Sequence, residues 1–273
     1  MKRKIGALGL TFLILGFVLF PIEGAIGVST LGIWVTIPAG EKVTGTLTFT
    51  NYHEEETKLV IKLCDWTRLE DGKNILLEPN SLPESLTPYI KVTPEETIFK
   101  PGESRKFKYE ISMPENVTGA LWGAMLAIPQ RRLDDQKDSK TSKLSKVSLN
   151  ELAPYGFTVK IWALEPTTAN PSGQINSVKV VNSQKNESEK RFEIDFENTG
   201  NVPLRPEGSL RILDSGEKEI ATFNIDRFGI LPGSRRILKI PSVETTVPDG
   251  DLKAEVILTY TEKNQLKKKF KLQ

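Results

Sequence analysis

Ile33-Trp34-Val35-Thr36-Ile37-Pro38-Ala39-Gly40-Glu41-Lys42-Val43-Thr44-Gly45-Thr46-Leu47-Thr48-Phe49-Thr50 holds two β-branched, alternating runs on either side of a Pro-Ala-Gly turn. A period of two gives a strand one buried and one solvated face, whereas a helix needs apolar residues three and four apart. From Ile33 onward the same pattern continues: short runs, separated by Pro, Gly, Asn or Asp. Strands are predicted over Ile33–Ile37, Val43–Thr50, Thr57–Trp66, Tyr89–Val92, Ser104–Ser112, Ala120–Ile128 and Tyr155–Ala163. A second set covers Ile175–Val181, Arg191–Glu197, Gly208–Leu213, Glu219–Ile225, Ser234–Ile240, Leu252–Thr261 and Lys267–Leu272.

Two sets of seven short strands predict an all-β protein of two immunoglobulin-like β-sandwich domains. The boundaries read as a first domain over 28–166, a linker over 167–174 and a second domain over 175–273. Pro166, Pro171 and Gly173 punctuate the linker. Within the first domain, Gln130 to Asn150 is polar, mixed in charge and too poor in apolar residues to pack. It reads as a long mobile loop (130–150) before the last strand. A domain linker is the alternative, but the run from Tyr155 would then lack partners.

Residues 1–27 read as a signal segment. Lys2-Arg3-Lys4 precede an uncharged apolar run from Ile5 to Phe20, and Ala25-Ile26-Gly27 offers small residues for cleavage. Two outcomes are open, a cleaved signal and an uncleaved membrane anchor. Either implies an exported, periplasmic or extracellular protein, touching membrane only through an uncleaved signal. The signal carries the formal charge of +2, so the remainder is near neutral and a general nucleic-acid role is excluded. With 38% hydrophobic and 26% charged residues, two ordinary cores can form without disorder.

Chemistry is scarce. His53 is the single histidine and Cys64 the single cysteine of 273 residues. A Ser-His-Asp triad, a Cys-His pair with an alternative candidate and a His/Cys zinc site all lack material. His53 reads as a surface residue of a charged turn, and acids such as Glu70-Asp71 and Asp134-Asp135 as solvated loops. The triplets at Asn116 and Asn186 are short enough to arise by chance, and Lys267-Lys268-Lys269 reads as a charged edge strand that resists aggregation. No enzyme activity, cofactor or metal is expected.

Ile33–Asn51, Pro94–Pro114 and above all Leu121-Trp122-Gly123-Ala124-Met125-Leu126-Ala127-Ile128-Pro129 resemble, in order, the periplasmic pilus-assembly chaperones. The resemblance covers about residues 31–165. Beyond it, Phe192–Pro203 and Ile230–Ser234 look like a generic bacterial Ig-like domain. The family lends the last strand of its first domain to a subunit that lacks one, so the resemblance implies a partner-binding strand at Tyr155, Phe157, Val159, Ile161 and Ala163. The alternative is that these residues line the domain's own core. The family also holds a partner's terminal carboxylate with an Arg on the first strand and a Lys on the last. Trp34 stands at the Arg position. Lys160 lies near the Lys position but one residue out of register counted back from Pro166, which would turn it to the other face.

The expectation is therefore a non-enzymatic exported protein that binds extracytoplasmic protein subunits by strand donation or in the interdomain cleft. Its rival is a structural or adhesive surface module of the same fold.

Overall fold

A computed structural model describes residues 26–130, 149–152, 156–182, 190–241, 250–261 and 264–272. The first sandwich is built from β1 (Ile26–Val28), β2 (Gly32–Thr36), β3 (Lys42–Asn51), β4 (Thr57–Arg68), β5 (Asn74–Leu77), β6 (Ile90–Thr93), β7 (Glu96–Phe99), β8 (Ser104–Ser112), β9 (Ala120–Pro129) and β10 (Phe157–Leu164). The second uses β11 (Gly173–Asn182), β12 (Lys190–Asn198), β13 (Glu207–Leu213), β14 (Glu219–Ile225), β15 (Arg235–Pro241), β16 (Leu252–Thr259) and β17 (Gln265–Leu272). The all-β expectation holds. Among the described residues the first sandwich has ten strands rather than seven, the short β1, β5 and β7 being the additions.

One sheet of the first sandwich runs β1-β3-β8-β6. The other runs β2-β10-β9-β4-β5, with β7 also paired to β4. Between them lies a core of Leu47, Phe49, Phe107, Ile111, Met125 and Val159 with their neighbours. Phe107 meets Phe49 edge-on and Phe99 face-on, geometries that suit the ring quadrupole. β1 and β2 belong to opposite sheets, and the chain crosses over between Val28 and Gly32. Ile26 and Gly27 pair with Asn51 and Thr50, and Ile26 is buried. A cut after Gly27 would remove two of β1's three residues.

β9 is buried along its whole length from Ala120 to Pro129, because both its faces are covered. Val159, Ile161 and the core lie on one side, and a second cluster of Trp66, Trp122, Trp162, Leu149 and Leu152 lies on the other. Leu149 to Leu152 form a single helical turn, α1, so the last residues of the segment read as a loop pack against the sandwich. Residues 131–148 of that segment lie outside the described residues.

The second sandwich stacks β11-β12-β15 on β14-β13-β16-β17, around Phe192, Ile194, Phe196, Leu210, Ile212 and Val256. The two sandwiches interlock. Leu231 of the second sits among the tryptophans of the first, and Ala120 of the first packs in the second core. The β4–β5 turn docks on β15, where the N–H of Ile237 donates to Glu70 O at 3.0 Å. At the junction, the buried carboxylate of Glu165 accepts from the backbone and hydroxyl groups of Thr167 and Thr168. Those bonds, that of Thr168 first, hold its pKa down to about 2. The N–H of Gly119 donates to the Thr168 hydroxyl, which ties the connection to β9. No described helix is long and apolar enough to cross a membrane.

Candidate binding site: the β10 edge and the interdomain cleft

β10 decides the site. It pairs antiparallel with β9 along its full length, but parallel with β2 only from Lys160 to Leu164. The N–H of Lys160 donates to Leu31 O at 3.0 Å. Backbone groups repeat direction every second residue, so the N–H and C=O of Thr158 point to that same side, beyond the end of β2. No described residue pairs with them there. The edge is bordered by Leu31, which is 61% exposed.

The side chains of β10 alternate. Val159, Ile161 and Ala163 point inward and are fully buried, and Phe157 packs partly against the same core, 6.1 Å from Phe49. Of the two places open to Phe157, Val159 and Ile161, a partner's groove or their own core, the side chains occupy the second here, because β9 and the opposite sheet enclose them. Tyr155 lies outside the described residues.

Lys160 and Trp162 point the other way, toward the second sandwich. The reading that Lys160 turns away from the cleft is overturned, because its face is set by alternation with Val159 and Ile161 rather than by a count from Pro166. It lines a cavity of about 300 Å³ with Trp34, Trp66, Arg68, Trp162, Leu204, Arg205, Arg227, Phe228 and Leu231. Trp34, 47% exposed, stacks on Trp162 with centroids 4.1 Å apart, and Trp162 meets the edge of Trp66 at 5.7 Å. Lys160 Nζ sits 4.0 Å over the Trp66 ring, and the Arg205 guanidinium 4.3 Å over Trp34. Arg68 donates to Gly229 O at 2.9 Å across the domain boundary.

No acidic residue is among those lining the cleft. Burial, and then the nearby charge of Arg68, push the Lys160 amine down to about 8. Arg68 itself is lowered by burial and by Arg236 and Arg205. The cleft thus concentrates positive charge against aromatic walls, an arrangement that attracts an anion with an apolar body. Because Lys160 ordinarily titrates at 10.5, the unfolded chain keeps its proton between pH 8 and 10.5 while the folded protein sheds it, so stability gains with pH across that window. Arg68 and Arg205 are the cations that face Lys160 across the cleft. Urea unfolding at pH 7.5 and 10 is expected to show this gain in the native protein, and a smaller one in Lys160→Met.

Sequence reasoning found Trp34 and Lys160 but missed Arg68, Arg205, Trp66 and Trp162. The alternation of β10 could have placed Trp162 beside Lys160. Nothing local to Pro203-Leu204-Arg205-Pro206 points to the cleft. Among the described residues no group of three His, Cys, Asp or Glu side chains converges as metal ligands. Cys64 is buried, its thiol pushed up to about 12 mainly by burial, which leaves no reactive thiolate.

No protein-family model matches the chain, and no curated protein matches it. Solved structures do. The chain is similar to the class 5 fimbriae chaperone CfaA, at 11% identity and a TM-score of 0.47, covering 90% of this chain and 98% of that one. A chaperone–tip adhesin complex of CFA/I fimbriae biogenesis matches at 12% and 0.46, covering 90% and 98%. The CsuC-CsuE chaperone and tip adhesion subunit complex of Acinetobacter baumannii matches at 13% and 0.44, covering 91% and 98%.

Proposed function

We propose that this protein is a non-enzymatic, exported, chaperone-like binder of extracytoplasmic protein subunits, which adds a partner strand to the free edge of β10 and uses the adjoining cleft. The observation that carries the reading is the backbone edge at Thr158, unpaired among the described residues and beside a cationic cleft that contains Lys160 and Trp34. Strand addition takes its affinity from main-chain hydrogen bonds, so it does not need the buried side chains of β10. The family resemblance of residues 31–165 supports the same reading. A second reading has its own support: burial of Val159, Ile161 and Ala163 in their own core suits a structural or adhesive surface module that lends nothing.

Thr158→Pro separates the two. Proline at an edge position removes one outward N–H and leaves the β9 ladder intact. The variant is expected to fold with a near-native urea midpoint, yet to lose at least tenfold in recovery of a β-rich partner from the native envelope. Equal recovery by the folded variant would leave the surface-module reading in place.

A further inference from the structure

β1 follows the N-terminal apolar run closely. Only Pro21 to Ala25 separate Phe20, where that run ends, from Ile26, and five residues reach at most about 18 Å. The small-residue cleavage motif ends at Gly27, inside β1. Ile26 belongs to the first core and pairs with Asn51. The Tyr52 ring covers Gly27 so closely that a Cβ added there would meet it at 2.6 Å. A cut after Gly27 would empty the Ile26 site and put an ammonium on Val28, which packs against the same core, where a charge is costly to bury. The first sandwich is thus complete only when the chain is continuous through the motif.

β1 is also an edge strand of the β1-β3-β8-β6 sheet, whose outer face is basic. Alternation with the buried Phe107 and Ile111 of β8, and with Ile90 and Val92 of β6, turns Lys106, Lys108 and Lys91 outward and exposed. Lys42 adds a fourth cation, and Glu110, the single carboxylate of this face among the described residues, is paired with it at 3.4 Å. None of Lys91, Lys106 and Lys108 has a carboxylate partner among the described residues. Tyr52, 55% exposed, stands over Gly27 at the β1 side of the face, and tyrosine is a residue that settles at headgroup level. The acidic turn Glu54-Glu55-Glu56 lies beyond it, between β3 and β4. An anionic surface attracts the basic face and repels that turn, so it would seat the sandwich on its side. We propose that the N-terminal apolar run is retained as a membrane anchor and that the outer face of β1-β3-β8-β6 rests on anionic phospholipid headgroups. The second sandwich meets the opposite sheet, where Leu231 sits among Trp66, Trp122 and Trp162, so the cleft stays turned away from the lipid. This orientation does not depend on whether β10 takes a partner strand.

Mass spectrometry of the protein recovered from its native envelope is expected to find the residues before Ile26 still attached, in membranes that keep the protein through a carbonate wash. A mature N-terminus anywhere after Phe20 overturns the proposal. The surface is tested with the full chain reconstituted in vesicles of phosphatidylcholine, alone or with about one-quarter phosphatidylglycerol, each containing a lipid with a quencher on its headgroup. A fluorophore is placed on Thr46→Cys, an exposed outward position opposite Lys108; the native Cys64 is buried and stays unlabelled. Quenching is expected to be about threefold stronger with phosphatidylglycerol than without. The double variant Lys106→Glu, Lys108→Glu, changed only at exposed positions, should abolish the difference. Sodium chloride at about 1 M, which shortens the screening length to about 3 Å, should do the same to the native side chains, so a variant that fails to fold does not hide the result. Equal quenching in the two lipids overturns the headgroup contact, and so does a difference that survives salt.

Discussion

Val159→Asp is expected to unfold the first sandwich rather than to remove a contact with a partner. Val159 is fully buried between β9 and the opposite sheet, in one cluster with Met125, Phe49 and Ile161. No cation lies in that cluster to pair with a carboxylate. An unpaired charge placed in such a core costs about 3–5 kcal/mol or more, against a total of about 5–15 kcal/mol for a typical domain. Urea unfolding, followed through the near-ultraviolet signal of Trp66, Trp122 and Trp162, should show the first transition moved to low denaturant or absent. Val159→Thr keeps the shape and adds one buried hydroxyl, so about 1–3 kcal/mol is expected. A Val159→Asp protein within about 1 kcal/mol of native would mean that this face of β10 is open after all, and strand donation by its side chains would return as the better account.

That prediction also marks how far the sequence could be read. The alternation of Phe157, Val159 and Ile161 announced a strand with one apolar face, and it is one. Alternation has the same form whether the apolar face meets its own core or a partner's groove, because both are apolar environments with a period of two. Only the pairing of β9 and the position of the opposite sheet distinguish them, and both are long-range facts. β4, β8 and β12 were legible because each is at least nine residues long and contains an alternating apolar stretch, such as Phe107-Lys108-Tyr109-Glu110-Ile111 and Phe192-Glu193-Ile194-Asp195-Phe196. β5 and β7 have four residues each, as β6 does, but Asn74-Ile75-Leu76-Leu77 and Glu96-Thr97-Ile98-Phe99 place apolar residues side by side where Ile90-Lys91-Val92-Thr93 alternates. Asp65 was missed for another reason. It is fully buried and accepts from the N–H groups of Ser81 and Leu82 and the hydroxyls of Ser85 and Thr87, all more than fifteen residues away, where no local pattern reaches. The cleft combines these limits: Lys160 belongs to a readable strand, while Arg205 arrives from the irregular connection between β12 and β13 of the other domain.

Trp66→Ala should damage fold and site together. The Trp66 side chain is almost wholly buried in the cluster that joins the two sandwiches, with Trp122, Trp162 and Leu231 around it. Its indole N–H donates to Gly123 O at 3.2 Å, and its own carbonyl accepts from the Trp122 indole at 3.1 Å. Truncation to alanine leaves a cavity and removes the indole hydrogen bond to the Gly123 carbonyl on β9, for a loss of about 3–5 kcal/mol. Trp66→Phe keeps much of the volume and loses the hydrogen bond, so a smaller cost of about 1–3 kcal/mol is expected. The ring is also the surface under Lys160 and the wall against which Trp162 stands. Without it the ammonium loses its aromatic neighbour, and the Trp34–Trp162 stack that supports Arg205 loses its backing. If the cleft takes part in partner binding, the folded fraction of Trp66→Ala should recover at least tenfold less of the β-rich partner than native protein, while Trp66→Phe, which preserves the wall, should recover within about threefold. Native recovery by Trp66→Ala would show that the cations hold their positions without the tryptophan ladder, and the site would then owe its geometry to the interlocked domain boundary alone.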